Sequence, residues 1–296
     1  MTEYRCGFVA VVGRPNVGKS SIINRLLGRK LSITSPRPQT TRHRILGIKT
    51  TDACQTIYVD TPGMHSGSGR ALNRYMNRAA TAALEGIDAC LLVIEALRWT
   101  EEDVQALERV RGVACPLVVA ANKVDRIDDK DRLLPYFADI ATRAEFTDIV
   151  PTSARRGTNI ERLDGLLGSL LAPGVAMFPA DQWTDRSERF LVAELIREKL
   201  TRFLDQELPY RLSVEIERFK ESPGVVDVGA LIWVERPGQK AIVIGKGGRT
   251  LKAAGIQARR DMERLLGCHV RLQTWVKVRS GWSDDERTLN LLGYEE

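Results

Sequence analysis

Short apolar runs alternate with helix-like patterns along roughly the first 170 residues of the chain. Each run is shorter than a typical helix and is bounded by polar or turn residues, so it predicts a buried strand. The five runs are residues 6–12, 56–59, 89–94, 117–121 and 149–150. Amphipathic stretches such as residues 72–85 and 101–111 lie between them and predict helices. Strands that alternate with helices predict right-handed crossovers and a mostly parallel sheet, which is an α/β fold.

The pattern changes after residue 171. Residues 172–185 contain two prolines and a glycine and lose the periodicity, which predicts a linker over residues 172–187. Beyond it we expect a helix at 188–204 and strands at 211–219 and 225–235. A turn at 236–239 then leads into an apolar strand at 240–244. Two short helices on either side of Gly255, a strand at 269–278 and a short helix from Ser283 complete the chain. This α-β-β-α-α-β order predicts a smaller α+β domain, so the expected domains are residues 1–171 and 188–296.

Length and composition limit the class of protein. The 296 residues correspond to about two domains, and 43% hydrophobic with 28% charged residues exclude a collagen-like or wholly disordered chain. No run approaches the ~20 apolar residues of a membrane span and the first residues lack the apolar core of a signal peptide, so a cytoplasmic protein is expected. The five cysteines form no C-x-x-C pair and there are only three histidines, so we expect free thiols and no metal cluster.

Basic residues are concentrated in two parts of the chain. The formal net charge is only +6. Residues 14–49, however, contain nine Lys or Arg and no acid, and residues 236–260 contain seven and again no acid. Residues 173–235 contain eight basic and twelve acidic residues, so the background is near neutral. Each basic part could meet a polyanion, although a basic run alone is more often a solvated face.

Residues 13–20 fit the phosphate-loop pattern G-x-x-x-x-G-K-[ST] and directly follow a predicted strand. The helical run that comes next ends at Gly28, which completes the strand, loop and helix that this pattern requires. Glycines let successive backbone N–H groups turn toward phosphate oxygens, and the helix N-terminus adds its positive end. We predict that Lys19 reaches the β- and γ-phosphates and that the Ser20 hydroxyl binds Mg²⁺.

Two further segments are predicted to meet this loop. Asp60 begins an Asp-Thr-Pro-Gly run after a strand, so its carboxylate can contact Mg²⁺ through water and the N–H of Gly63 can sense the γ-phosphate. Thr40 and Thr41 lie in a polar, proline-containing loop suited to a segment that orders when γ-phosphate and Mg²⁺ are bound. One of the two is predicted to complete the Mg²⁺ shell, and Thr41 is favoured.

The pattern predicts guanine rather than adenine as the base. Asn122, Lys123 and Asp125 follow another strand in an Asn-Lys-x-Asp run. Asp125 can accept from both N1–H and the 2-amino group of guanine, a donor pair that adenine lacks, while the stem of Lys123 lies against the base. The N–H of Ala154, after the last strand, could meet the guanine carbonyl oxygen. The predicted nucleotide-binding residues are Gly13, Arg14, Pro15, Asn16, Val17, Gly18, Lys19, Ser20, Ser21, Thr40, Thr41, Asp60, Thr61, Pro62, Gly63, Asn122, Lys123, Asp125, Ser153 and Ala154.

Together these motifs resemble those of the translation-factor-related GTPases. The runs Gly-Arg-Pro-Asn-Val-Gly-Lys-Ser, Gln-Thr-Thr-Arg-His and Asp-Thr-Pro-Gly resemble the Era family of bacterial GTPases. Ras-like enzymes carry a water-orienting glutamine after the last motif, whereas this chain has Met64, which resembles the hydrophobic-substituted GTPase class. A glutamine-dependent mechanism is therefore excluded. His65 is expected to be a solvated loop residue rather than a base.

The resemblance implies a role for Asn16 in holding a K⁺ ion. A monovalent cation beside the bridging oxygen would stabilise the charge that develops on the leaving group, where other GTPases use an arginine finger. No arginine of this chain can be assigned as such a finger. The predicted catalytic residues are Lys19, Asn16, Thr41, Asp60 and Gly63, and the predicted Mg²⁺ ligands are Ser20, Thr41 and Asp60.

A second group of residues with binding chemistry lies in the second basic region. Residues 245–248 form a G-x-x-G loop, which in KH domains clamps a nucleic-acid backbone. The same spacing at Gly165 and Gly168 falls in an apolar helical stretch and indicates packing. The element order resembles the type II KH fold, and residues 275–287 resemble the C-terminus of the Era family. The predicted RNA-binding residues are Arg236, Lys240, Gly245, Lys246, Gly247, Gly248, Arg249 and Lys252.

The Era resemblance implies a monomeric GTPase switch that binds the 3′ end of 16S ribosomal RNA, assists maturation of the 30S subunit and contacts the inner membrane peripherally. Bound GTP would order residues 35–44 and 64–74 and a shared domain interface, and hydrolysis would release the RNA-competent arrangement.

Two alternatives remain open. In an RNA-binding scaffold GTP would be a structural ligand, which the absence of a glutamine at Met64 favours; a metabolic phosphate-loop kinase would transfer phosphate to a small molecule, but no arginine-rich lid supports it.

Overall fold

The computed structural model describes residues 3–34, 41–62, 71–204, 208–285 and 289. These residues form two compact units. The first unit contains residues up to 32, residues 41–62 and residues 76–185. The second contains residues 33–34, 71–75 and those from 186 onward.

The first unit is built on a six-stranded sheet with the order β2-β3-β1-β4-β5-β6. Strand β2 runs antiparallel to β3, and every other neighbouring pair is parallel. The strands are β1 (Arg5–Val12), β2 (Ile45–Thr50), β3 (Cys54–Asp60), β4 (Ala89–Glu95), β5 (Leu117–Asn122) and β6 (Asp148–Pro151). The predicted mixed α/β class with a mostly parallel sheet is confirmed.

Helices follow the strands of this sheet, as crossovers between parallel strands require. In chain order they are α1 (Lys19–Leu27), α2 (Ala71–Ala82), α3 (Glu101–Arg111), α4 (Leu133–Ala141) and α5 (Ile160–Leu170). Residues 76–82 of α2 belong to the first unit, and residues 71–75 to the second. Strand β5 is buried at all of its positions because parallel strands are covered on both faces. The predicted strands and the predicted helix at residues 101–111 are confirmed.

Strand β2 was not among the predicted strands. Its sequence, Ile-Leu-Gly-Ile-Lys-Thr, is interrupted by Gly47, and glycine is depleted in strands. A β-carbon at Gly47 would lie 2.6 Å from a methyl group of Leu27 and 2.9 Å from a methyl group of Leu31, so a larger residue there would displace both leucine side chains. An interior glycine weakens the apolar pattern of a strand, so the sequence carries little signal for this edge strand.

The segment at residues 172–185, predicted as linker, is hydrogen-bonded to the first unit. The N–H of Cys6 donates to the carbonyl of Ala172 at 3.2 Å, and the N–H of Gly174 donates to that of Tyr4 at 2.9 Å. At the edge strand β2, the N–H of Ile48 donates to the carbonyl of Trp183 at 2.9 Å. Residues 172–185 therefore form part of the first unit. The stretch around Trp183 covers the edge of the sheet at β2.

The second unit contains a three-stranded sheet with the order β7-β8-β9. Strands β7 and β8 are antiparallel, and β8 and β9 are parallel. The strands are β7 (Leu212–Ser222), β8 (Val225–Val234) and β9 (His269–Val278), and the helices are α6 (Glu188–Phe203), α7 (Pro237–Ile244) and α8 (Arg249–Leu266). The predicted smaller α+β unit is confirmed, and the observed order of its elements is α6, β7, β8, α7, α8, β9.

Two local predictions in this unit are wrong. The run predicted as a strand at 240–244 lies in α7, because Pro237 begins that helix and the side-chain oxygen of Gln239 accepts from the N–H groups of Glu235 and Arg236. Helix α8 continues through Gly255 without a break. One internal glycine costs a helix only about 1 kcal/mol, which the packing of the helix overcomes.

The helix predicted from Ser283 falls largely outside the described residues. The Ser283 hydroxyl donates to Glu235. Within the described ranges, no helix is long and apolar enough to cross a bilayer.

Candidate functional site

The loop between β1 and α1 has a backbone that requires glycine at two positions. Gly13 and Gly18 have φ angles of 142° and 109°. A β-carbon would lie 2.3 Å from the carbonyl oxygen of Val93 at Gly13, and 2.2 Å from the Asn122 side-chain nitrogen at Gly18. Asn16 also adopts a left-handed conformation, with φ of 64°. The loop therefore has the tight turn into a helix N-terminus that the phosphate-loop pattern predicts.

Lys19 lies folded back over this loop. Its ammonium group donates to the carbonyl oxygens of Gly13 at 2.7 Å and Arg14 at 3.0 Å, and the residue is only 7% exposed. Burial lowers the pKa of Lys19 to about 8, although the charge of Asp60 acts in the opposite direction. A phosphate group at the loop would supply the negative charge that this buried ammonium needs.

Ser20, Thr41 and Asp60 converge beside Lys19. The Ser20 hydroxyl lies 3.0 Å from Thr41 Oγ1 and donates to Asp60 Oδ2 at 3.1 Å, and Thr41 Oγ1 lies 3.4 Å from the same carboxylate oxygen. Asp60 is fully buried, which raises its pKa despite Lys19 and the hydroxyl donors. The structure therefore brings together the three predicted Mg²⁺ ligands.

The chemistry of this cluster fits a hard cation. Among the described residues, Asp60 Oδ1 is buried without a hydrogen-bond partner. Two hydroxyls and a carboxylate are the oxygen donors that Mg²⁺ prefers. A cation here would satisfy the unpartnered oxygen and lower the pKa of the carboxyl group. The predicted Thr40 and Gly63, together with Met64 and His65, lie outside the described residues.

The predicted base-binding residues meet at the ends of β5 and β6. The Asn122 amide donates to the carbonyl of Val17 at 2.8 Å and its oxygen accepts from the N–H of Ala154 at 3.0 Å. Asn122 thereby ties the phosphate loop to the loop after β6. The predicted contact of the Ala154 N–H with the guanine oxygen stays a prediction.

Asp125 is held by a neighbour from that same loop. The Ser153 hydroxyl donates to Asp125 Oδ1 at 2.6 Å. This hydrogen bond, more than any other contribution, lowers the pKa of Asp125. An ionised acceptor suits the paired N–H donors of guanine.

Charged groups missed in the sequence pattern hold Arg14 and Lys123. Arg14 Nε donates to Asp103 Oδ2 at 3.0 Å, and both Arg14 and Lys123 lie 3.1 Å from Glu95 Oε2. The Arg14 guanidinium is thus bound by two carboxylates. The spacing of Thr100 and Asp103 at the start of α3 is a capping-box signal that could have located one of them.

In the second unit, the G-x-x-G loop joins α7 to α8. Gly245, Gly247 and Gly248 all have positive φ angles, of 73°, 60° and 75°. A β-carbon at Gly245 would lie 2.3 Å from Thr250 Oγ1, whereas Gly247 and Gly248 face open space. The other G-x-x-G spacing, at 165–168, lies inside α5. The loop at 245–248 therefore leaves room for a ligand at its central glycines.

A groove runs beside this loop between α8 and β9. Its volume is about 350 Å³. The lining residues are Gly248, Leu251, Lys252, Gly255, Ile256, Arg259, Leu272 and Thr274. Apolar side chains and two cations thus share one concave surface. Of the predicted RNA-binding residues, Gly248 and Lys252 line it, Gly245, Lys246, Gly247 and Arg249 lie in or next to the loop, Lys240 lies in α7 and Arg236 precedes that helix.

Two protein-family models match the chain. The model described as 50S ribosome-binding GTPase matches residues 8–123. The model described as KH domain matches residues 207–283.

Curated proteins named GTPase Era are similar over nearly the whole chain. The relative from Marinobacter nauticus is 52% identical, over 99% of this chain and 96% of that protein. The relative from Pseudomonas fluorescens is 54% identical, over 99% of this chain and 98% of that protein.

Solved structures of Era have the same fold. Era in complex with MgGDPNP and nucleotides 1506–1542 of 16S ribosomal RNA has a TM-score of 0.95 at 36% identity, covering 99% of this chain and all of that chain. An Aquifex aeolicus Era variant bound to GDP and aluminium fluoride matches equally well, with a TM-score of 0.95 at 36% identity. The phosphate loop, the hydroxyl–carboxylate cluster and the guanine motif thus occur in a chain of matching length and fold, and this chain belongs to the Era family of GTPases, with a GTPase domain followed by a KH domain.

Proposed function

We propose that this protein hydrolyses GTP with Mg²⁺ and uses its second unit to bind the 3′ end of 16S ribosomal RNA during maturation of the 30S subunit. The observation that carries the GTPase part is the cluster of Ser20, Thr41 and Asp60 beside buried Lys19. The RNA part is supported by the groove next to the G-x-x-G loop and by the RNA complex of the similar Era structure. The predicted domain limits, monomeric state and membrane contact stay predictions.

In this proposal the side chains divide the work of phosphoryl transfer. Lys19 releases its loop carbonyls and donates to the β- and γ-phosphates, where negative charge develops as the γ-phosphoryl group leaves. Ser20, Thr41 and Asp60 would hold Mg²⁺, which supplies charge neutralisation between the β- and γ-phosphates when bound. Asp125, oriented by the Ser153 hydroxyl, accepts from the guanine N–H groups and fixes the orientation of the nucleotide.

Asn16 is proposed to help hold K⁺ beside the phosphates, as the family resemblance implies. Its left-handed backbone is part of the same tight loop as Gly13 and Gly18. A cation there would stabilise the leaving oxygen without a glutamine or an arginine finger. Faster hydrolysis in K⁺ than in Na⁺, with the difference removed by Asn16→Ala, supports this role, and equal rates in the two salts would refute it.

RNA is proposed to lie along the groove with its backbone at the G-x-x-G loop. The open space at Gly247 and Gly248 lets a phosphate approach the backbone closely, which is the reason that glycine is useful there. Lys246, Arg249 and Lys252 are then placed to meet neighbouring phosphates, while single-stranded bases occupy the groove.

Gly247→Asp tests this assignment against a matched control, Gly224→Asp. Both glycines have positive φ angles, of 60° and 74°, and both face open space, but Gly224 lies in the turn between β7 and β8. Fluorescence anisotropy with a short single-stranded RNA that matches the 3′ end of 16S rRNA measures the affinity. We expect Gly247→Asp to weaken binding at least about tenfold and Gly224→Asp to change it less than about twofold. The proposed interface would be refuted if the two variants lost the same RNA affinity, or if neither lost any.

A further inference from the structure

Alternating charges connect α3, the phosphate loop and the guanine motif within the first unit. Asp103 binds Arg14, Arg14 binds Glu95, and Glu95 binds Lys123. Arg14 and Lys123 each lie 3.1 Å from the same oxygen of Glu95, whose side chain is only 18% exposed. Glu95 is the last residue of β4 and belongs to neither nucleotide motif. One carboxylate oxygen therefore bridges two loops that are far apart in the chain.

At one end of this series, Asp103 is held by several hydrogen bonds. Asp103 is fully buried, and its Oδ2 accepts from the N–H and the hydroxyl of Thr100, both at 2.9 Å. The same oxygen accepts from Arg14 Nε at 3.0 Å. Arg14 is therefore anchored on α3 even without Glu95, and its guanidinium in turn fixes the carboxylate of Glu95.

The end at Lys123 depends on Glu95. Lys123 has a left-handed backbone with φ of 69°, and its predicted place is against the face of the base. Among the described residues, Glu95 is the carboxylate that its ammonium group contacts. Burial alone would raise the pKa of Glu95, but Lys123 and Arg14 lower it overall, so the carboxylate is ionised at neutral pH. A lysine side chain that is not held in advance loses rotamer freedom when the nucleotide binds, and this entropy loss weakens binding.

We propose that Glu95 is a positioning residue for the nucleotide: it holds Lys123 in its base-binding conformation before the nucleotide arrives, and Arg14 and Asp103 hold Glu95. This inference rests on the proposed assignment of Lys123 to the base. It predicts an effect on affinity rather than on the chemical step, because the base lies away from the bond that breaks.

A double-mutant cycle on the full chain tests the proposal, with the Kd for fluorescent GDP and the KM and kcat for GTP as readouts. Glu95→Gln keeps the size of the side chain and removes its charge. We expect it to raise Kd and KM about tenfold and to change kcat less than about twofold. In a Lys123→Met background, the same substitution should have no further effect. Loss of an acid near an anionic ligand would by charge alone strengthen binding, so the expected change has the opposite sign to a general electrostatic effect.

Two controls make the outcome decisive. Glu108→Gln removes a carboxylate that pairs with Arg111 on the exposed part of α3, and it should leave all constants unchanged. Glu95→Asp retains the charge on a shorter side chain and should give an intermediate Kd, which serves if Glu95→Gln does not fold. The proposal would be overturned if the fold-changes in Kd of Glu95→Gln and Lys123→Met simply multiplied in the double variant, because the two residues would then act independently. An unchanged Kd in Glu95→Gln would also overturn it. An unchanged Kd in Lys123→Met itself would instead refute the proposed base site.

Discussion

The Ser153 hydroxyl donates a 2.6 Å hydrogen bond to Oδ1 of Asp125. This contact joins the loop after β6 to the motif after β5, and it lowers the pKa of the Asp125 carboxyl group. This hydrogen bond therefore orients the side chain proposed to read guanine and favours its ionised form.

Asp125→Asn should exchange guanine for xanthine. An asparagine amide can donate to the second carbonyl group of xanthine but cannot accept from both N–H donors of guanine. We expect the Kd for GDP to rise about 100-fold or more and binding of XDP to appear, as measured by competition with fluorescent GDP. Ser153→Ala should weaken GDP binding only about tenfold without any gain for xanthine. Tight GDP binding by Asp125→Asn would contradict the assignment of this residue.

Asp60→Asn should abolish the response of the protein to Mg²⁺. The amide cannot supply the charge of the buried carboxylate, whose Oδ1 lacks a partner among the described residues. We expect kcat for GTP to fall about 100-fold or more, and the Mg²⁺ dependence of GTP affinity to disappear. Asp52→Asn, at an exposed position between β2 and β3, serves as the control and should behave as wild type. A magnesium titration that is the same in Asp60→Asn and wild type would remove the proposed metal site.

GDP binding should take up protons near pH 8. Burial lowers the pKa of Lys19 to about 8, so a growing fraction of the side chain is neutral above that pH. Bound phosphates favour the ammonium form, and its pKa must then rise. Affinity should consequently fall as the pH is raised from 7 to 9. Calorimetry in buffers of different ionisation enthalpy should detect uptake of about half a proton at pH 8.

Lys19→Arg is the variant that isolates this effect. A guanidinium group stays protonated throughout this range, so both the proton uptake and the associated loss of affinity should disappear. The same proton uptake in Lys19→Arg and in wild type would assign the titration to another group.

Lys199→Met should destabilise the second unit. The Lys199 side chain is 6% exposed, and its ammonium group contacts both Glu198, at 3.3 Å, and Asp261 on α8. Removing the cation leaves the buried carboxylate of Glu198 and the partly buried one of Asp261 with fewer partners. We therefore expect a loss of about 2 to 4 kcal/mol in the free energy of unfolding and a lower Tm. Arg264→Met removes a 78% exposed partner of the same Asp261 and should cost less than about 1 kcal/mol. Equal thermal melts for the two variants would refute this ranking.

The main elements of the nucleotide site could be predicted because each motif follows a strand of one parallel sheet. The carboxyl ends of such strands meet at one edge, so Ser20, Asp60 and Asn122 had to lie near each other once the strands were assigned. Glu95 could not be found in this way. Its partners lie 81 residues away at Arg14 and beyond β5 at Lys123, and an isolated glutamate carries no local signal of a distant ion pair.

Short apolar runs explain the local errors. The five residues at 240–244 are apolar enough for either a strand or a buried helix, and periodicity alone does not distinguish the two. The sequence Arg-Pro-Gly-Gln at 236–239 is typical of a turn, which favoured a strand after it. In the structure, Pro237 begins α7 and the side chain of Gln239 caps its N-terminus. Gly255 shows the complementary error, since a glycine inside a long amphipathic helix does not end it when the helix is packed on a sheet.

Coupling between the two proposed sites is tested by the rate of GTP hydrolysis by the full chain in K⁺, with and without the single-stranded RNA that matches the 3′ end of 16S rRNA. We expect the RNA to change the rate for wild type and for Gly224→Asp, and not to change the rate for Gly247→Asp. Tight binding of GTP and RNA with no turnover in any condition would contradict this coupling and favour a scaffold in which GTP is a structural ligand. An equal RNA response in all three proteins would contradict the role of the G-x-x-G loop.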